Sequence, residues 1–143
     1  MILRKTFRFE ASHRLPHHPG KCQRLHGHSW VLELSVEGPV VQSTGMVLDF
    51  YEMGKAVEST IAELDHHHLG TWERLGAEEE YRTWGVSWLP MDFNSTSENL
   101  LYEIAKRLPL HLPWVSLTLH ETCTTTAVLT RAEFIRTASR RGE

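Results

Sequence analysis

Two stretches of strict two-residue alternation constrain this chain more than any other feature. Leu3, Lys5, Phe7, Phe9, Ala11 and His13 share one parity, and Arg4, Thr6, Arg8, Glu10 and Ser12 the other. From His26 to Glu37 the pattern returns, with His26, His28, Trp30, Leu32, Leu34 and Val36 in phase, until Gly38-Pro39 ends it. Successive side chains of a strand point to opposite faces, so both runs read as long strands with one apolar face. Leu15–Lys21 carries Pro16, Pro19 and Gly20 and reads as the loop between them. A first strand that stays regular puts His13 on the face of Phe7 and Phe9.

The remaining elements fall into a simple order. Phe50, Met53, Val57, Ile61 and Leu64 form one helical stripe, with Asp49 as N-cap and Glu52 three residues on. A second helix opens at Ser95-Thr96-Ser97-Glu98 with capping-box spacing from Ser95 to Glu98, and Pro109 stops it. A third strand is expected over Trp114–Glu121, with Val115, Leu117, Leu119 and Glu121 on one face, and a fourth over Thr124–Thr130. Gly70–Asn94, with Glu78-Glu79-Glu80 and Trp72, Trp84 and Trp88, shows no clear period. Strand, strand, helix, helix, strand, strand predicts an α+β domain, two helices on one face of an antiparallel four-stranded sheet. The 143 residues, 41% hydrophobic, suit one domain over 1–143 with a core of its own.

Charge and composition exclude several classes. A net charge of -3 gives no basic surface for nucleic acid. The longest stretch free of charged residues, Leu108–His120, is too short to span a bilayer and holds Pro109 and Pro113. Met1-Ile2-Leu3-Arg4-Lys5 has no signal-like apolar core, and two cysteines, Cys22 and Cys123, make no disulfide framework. A reduced, cytoplasmic protein is expected.

The ten histidines are the chemical signal, and most are clustered. His26 and His28, two apart on a strand, can reach one ion, and His13 on the neighbouring strand can supply a third nitrogen. Three protein ligands with one position open is the pattern of catalytic zinc; the other reading is a pair of surface histidines. Gly27 between them permits close approach of backbone or substrate. Cys22, four residues before His26, is either an inert thiol or a base activated by nearby cations, whereas Cys123 reads as structural. Asp65-His66 at the end of the first helix is an acid–base pair or a histidine that complements the helix dipole. Glu121, beside Leu119, either accepts two adjacent N–H groups of a ligand or pairs with an internal Arg or Lys.

Taken together the pieces resemble the 6-pyruvoyltetrahydropterin synthase / 6-carboxytetrahydropterin synthase family. The residues that carry the likeness are Phe9-Glu10-Ala11-Ser12-His13-Arg14-Leu15-Pro16, Cys22-x-x-x-His26-Gly27-His28, Leu64-Asp65-His66-His67, Asn94-Ser95-Thr96-Ser97-Glu98-Asn99 and Glu121-Thr122-Cys123. They span roughly residues 5 to 130. Three residues between Cys22 and His26 resemble the carboxy-forming bacterial branch.

The resemblance implies a tunnelling fold, in which sheets of neighbouring subunits join into a barrel and two trimers stack as a homohexamer. It implies Zn2+ on His13, His26 and His28, Cys22 as catalytic base, and an assisting Asp65–His66 dyad from an adjacent subunit. Glu121 would anchor a pterin through its 2-amino group and N3–H, with Thr96 and Ser97 lining that pocket. The implied reaction turns 7,8-dihydroneopterin triphosphate into 6-carboxytetrahydropterin, acetaldehyde and triphosphate, on the way to 7-deazapurines such as queuosine precursors. Two alternatives are the pyruvoyl product without carbon–carbon cleavage and a non-catalytic metal-binding domain. Two departures stand out: the 70–94 segment is a longer insertion than usual, and Ser95 stands where proline is common.

Overall fold

The computed structural model describes residues 1–71, 79 and 82–141. The two alternating runs are the two longest strands, β1 (Ile2–His13) and β2 (His26–Glu37). They pair antiparallel from Ile2↔Glu37 to His13↔His26, with Phe9 opposite Trp30. The in-phase residues turn inward: Phe9, Trp30, Leu32, Leu34 and Val36 are buried. A one-turn 3-10 helix, Lys21–Gln23, sits in the connection.

Helix α1 (Phe50–Leu64) starts as expected, with Asp49 accepting from the Tyr51 N–H. It buries Met53, Val57, Thr60 and Leu64, while Phe50 is exposed. The chain then forms two short strands that alternation does not reveal, β3 (His67–Thr71) and β4 (Trp88–Met91). Helix α2 (Ser97–Arg107) follows, capped by Thr96, whose hydroxyl accepts from the Asn99 N–H. The cap is therefore one residue later than the Ser95–Glu98 spacing predicts, because Ser95 is buried and its hydroxyl donates to the Leu69 carbonyl.

Strand β5 (Trp114–His120) ends one residue before Glu121, and β6 is the shorter Thr126–Thr130. A register shift at Ser35/Val36 pairs Ser35 with Ser116 but Val36 with Trp114. Val115 is the extra residue, and the bulge turns Trp114 rather than Val115 into the core. The last element, α3 (Arg131–Arg141), was not expected. A capping box builds it: Thr130 Oγ1 accepts from the Glu133 N–H, and the Glu133 carboxylate accepts from the Thr130 N–H and hydroxyl.

The architecture is α+β, but among the described residues the sheet has six strands, not four, in the order β4-β3-β1-β2-β5-β6. The four long or clearly patterned strands are antiparallel neighbours, as expected. β3 and β4 add in parallel at one end, where β3 meets β1 only over Ala11–His13. The side of β1 from Ile2 to Phe9 that faces away from β2 therefore pairs with no strand among the described residues. Trp72, Glu78 and Glu80, in the segment that the sequence leaves unassigned, lie outside the described residues. Among the described residues no helix is long and apolar enough to cross a membrane.

Candidate metal and active site

Antiparallel register does the first work. With His13 opposite His26 and Ala11 opposite His28, three imidazoles gather at one end of the core face. Their ligand nitrogens all lie within 4.8 Å of one another. Gly27 faces Ser12, and a Cβ there would stand 3.3 Å from the Ala11 carbonyl oxygen, so the pairing is close.

Neighbouring carbonyls orient the rings. His13 Nδ1 lies 2.8 Å from the Ser95 carbonyl and His26 Nδ1 lies 2.7 Å from that of Arg24. Each Nδ1 donates its proton there, so each Nε2 keeps a lone pair, the tautomer a metal requires. Ser95 is thus a site residue that motif reading treats only as a helix cap and as a departure from a common proline. Its carbonyl sets His13, and its hydroxyl ties the loop to Leu69, the register partner of His13 on β3. The Nε2 atoms of His13 and His28 are buried and have no hydrogen-bond partner. Two converging, orphaned imidazole nitrogens beside a third, none committed elsewhere, fit a divalent metal of borderline softness.

Burial drives the electrostatics. Desolvation pushes His13 down to about 4 from its ordinary 6.5, against the raising effect of its bond to Ser95. Desolvation also lowers His28, with Glu121 opposing it. Metal-free, His13 is neutral in the fold and takes a proton near 6.5 once unfolded, so the unfolded chain binds more protons between these values. The metal-free fold should therefore lose on the order of 3 kcal/mol as pH falls from about 6.5 to about 4, and be insensitive to this group above and below. Urea midpoints of chelator-treated protein at pH 7.5, 5.5 and 4.5 test this; a slope no different in His13→Gln contradicts it.

Glu121 is brought to the cluster. It sits in the bend after β5, in phase with Leu117 and Leu119, and its Oε1 is 3.4 Å from His13 Nε2 and 3.6 Å from His28 Nε2. Its near partners are histidines and not the Arg or Lys that a salt bridge would need. It lines a cavity of about 480 Å³ together with Arg8, His28, His120 and Cys123. Cys123, read as structural, is exposed there.

Cys22 lies outside the three-histidine cluster, half-buried on the 3-10 turn, with its carbonyl accepting from the Leu15 N–H. Asp65 and His66 do form a pair, Asp65 Oδ2 to His66 Nδ1 at 2.8 Å. The Glu10 N–H, donated to Asp65 Oδ1 at 2.7 Å, is the main cause that holds this carboxyl below its usual range, ahead of the His66 bond. His66 has φ +59°, the left-handed region, and its N–H donates to the Glu10 carbonyl. It lines a second cavity, about 380 Å³, with Glu10, Ser12, Gly27, His28 and His68. Thr96 and Ser97 are at the start of α2, and the Thr96 hydroxyl is engaged in the cap.

The family model for 6-pyruvoyl tetrahydropterin synthase matches residues 2–132. The chain belongs to that family. It is 38% identical over 93 residues, 62% of this chain and 70% of the other, to the 6-carboxy-5,6,7,8-tetrahydropterin synthase of Synechocystis sp.. It is 40% identical over 75 residues to the 6-pyruvoyl tetrahydrobiopterin synthase of Drosophila melanogaster, covering 43% of this chain and only 44% of that one. Its fold is similar to the Caenorhabditis elegans 6-pyruvoyl tetrahydropterin synthase, with TM-score 0.68 at 21% identity over 91% of this chain and 94% of that one. The single-chain α+β fold expected of the family and the carboxy-forming bacterial branch expected from the motifs both stand.

Proposed function

We propose that this member of the family is a 6-carboxy-5,6,7,8-tetrahydropterin synthase. It would convert 7,8-dihydroneopterin triphosphate and one water into 6-carboxytetrahydropterin, acetaldehyde and triphosphate. The observation that carries this reading is the convergence of three imidazoles, two of them with orphaned Nε2 atoms, near the Glu121 carboxylate, which lines with His28 a cavity large enough for a small ligand. His13, His26 and His28 would hold a zinc ion, which when bound acidifies and orients the hydroxylated side chain of the substrate.

The protein's own groups supply the rest. Glu121 accepts the pterin 2-amino and N3–H in a fork, which selects that edge of the ring; Thr96 and Ser97 are assigned to the same pocket. Cys22 takes the proton from the side-chain carbon next to the ring. Asp65 fixes the proton on His66 Nδ1, leaving Nε2 to exchange a proton with a substrate oxygen. The site is assigned to the cytoplasm, and its product to 7-deazapurine synthesis of the queuosine type.

Strand edges support a role for the dyad in a neighbouring site. The outer edge of β6 and the Ile2–Phe9 edge of β1 both lack strand partners among the described residues, and such edges favour pairing with another copy. β6 of one copy would run antiparallel to β1 of the next. The Glu121–Thr125 bend, just before β6, would then approach the end of the free edge, where Asp65 and His66 sit against Glu10. A hexamer built on these joints should show about six times the 16.5 kDa chain mass by light scattering; a monomer at micromolar concentration would contradict it.

Mass analysis of products decides the chemistry. 6-Carboxytetrahydropterin with stoichiometric acetaldehyde is expected. A pyruvoyl product without acetaldehyde would favour the branch of the Drosophila relative, and metal-replete protein that releases no triphosphate would sink both.

A further inference from the structure

Glu121 sets one carboxylate oxygen against two imidazole nitrogens. The only ring proton of neutral His13 goes to the Ser95 carbonyl, so the Nε2 that faces Glu121 is a lone pair. Across 3.4 Å, a carboxylate oxygen and an imidazole nitrogen are two acceptors with no hydrogen between them. The Nε2 of His28, 3.6 Å from the same Oε1, is likewise without a hydrogen-bond partner. At His13 the arrangement is repulsive alone and attractive around a shared positive charge. The spacing carries more information. Ligands held at 2.0–2.2 Å on a tetrahedral ion stand about 3.3–3.6 Å apart along each edge. The Glu121 contacts to His13 and His28 fall on that value, while the third edge, to His26, is longer.

We infer that Glu121 is the fourth ligand of the metal in the resting protein, and that it leaves the metal for the pterin when substrate binds. The inference rests on the proposed three-histidine metal site and on Glu121 as the pterin anchor, and it makes the two roles successive. The backbone here favours a side-chain swing over a loop movement. Thr122 Oγ1 accepts from the N–H groups of Thr124 and Thr125, and the Glu121 N–H donates to the Thr125 carbonyl, so the bend is braced. The carboxylate itself is 28% exposed and lines the cavity, so a ligand in that space can reach it. A pterin edge offers two N–H donors, which compensate the carboxylate for leaving the ion. The coordination position then opens only when the correct ring is seated, so the hydroxylated side chain meets the metal in register.

The test uses the full chain loaded with Co2+, whose visible spectrum reports coordination, and chelator competition for Zn2+. Glu121→Gln and Glu121→Ala should raise the Zn2+ Kd about 10-fold or more and change the cobalt band. A dihydropterin without a hydroxylated side chain should produce a similar change in the wild type and none in Glu121→Ala. Normal loading with an unaltered Kd and spectrum in both variants would overturn this inference while leaving the metal site intact. A wild-type spectrum indifferent to the dihydropterin would overturn the exchange. A wild-type chain that takes up no metal would overturn the metal site as well.

Discussion

Cys22→Ala lowers turnover of 7,8-dihydroneopterin triphosphate by at least about 10²-fold, within the 10²–10⁴-fold that a positioned general base contributes, and leaves the metal content unchanged. The two effects separate because Cys22 lies on the 3-10 turn, outside the histidine cluster, with three residues between it and His26. The turn is held by its backbone, Leu15 N–H to the Cys22 carbonyl, so the loss of the thiol leaves the loop closed. Steady-state kinetics with elemental analysis on the same samples checks this. Near-native turnover in the variant would transfer the base role to Asp65–His66.

His26→Ala combined with His28→Ala reduces metal from about one ion per chain to none and turnover to background. This pair is preferred to one that includes His13, which is fully buried and would leave a cavity in the core. Both replaced rings are only partly buried, so the fold should survive, as circular dichroism can verify. Metal retained at full occupancy in the folded double variant would refute the ligand assignment.

The part of this site legible in the sequence is the part written in strand parity. His13, His26 and His28 could be placed on one face because β1 and β2 stay regular to their ends. Their register, and hence the meeting of His13 with His26, depends on the loop and the core and is written in no single run. β3 and β4 escaped because five and four residues are too short for a period, and Gly70 and Pro90 read as breakers. Helix α3 escaped although Thr130-x-x-Glu133 announces it, because the β-branched residues before it dominate that stretch. Ser95 looked like a cap and is instead a buried tie between a loop and β3. The direction of Glu121 was half legible: its phase with Leu117 and Leu119 was right, and its histidine partners came only with the fold.

The bonds of Glu10 to Asp65 and His66 also act as a ruler. They occupy the amide and carbonyl of β1 at the point where its bare edge ends. A strand arriving from another molecule can slide along Ile2–Phe9 only until it meets that stop. A slip of one residue would turn every side chain of the incoming strand to the wrong face, so a fixed terminus converts sticky backbone into a joint with one setting. The left-handed backbone of His66 is what lets the chain double back to place it. The same two residues proposed to move protons would then also decide which alignment of subunits can exist, so that a molecule assembled out of step would not present the dyad to a neighbouring site.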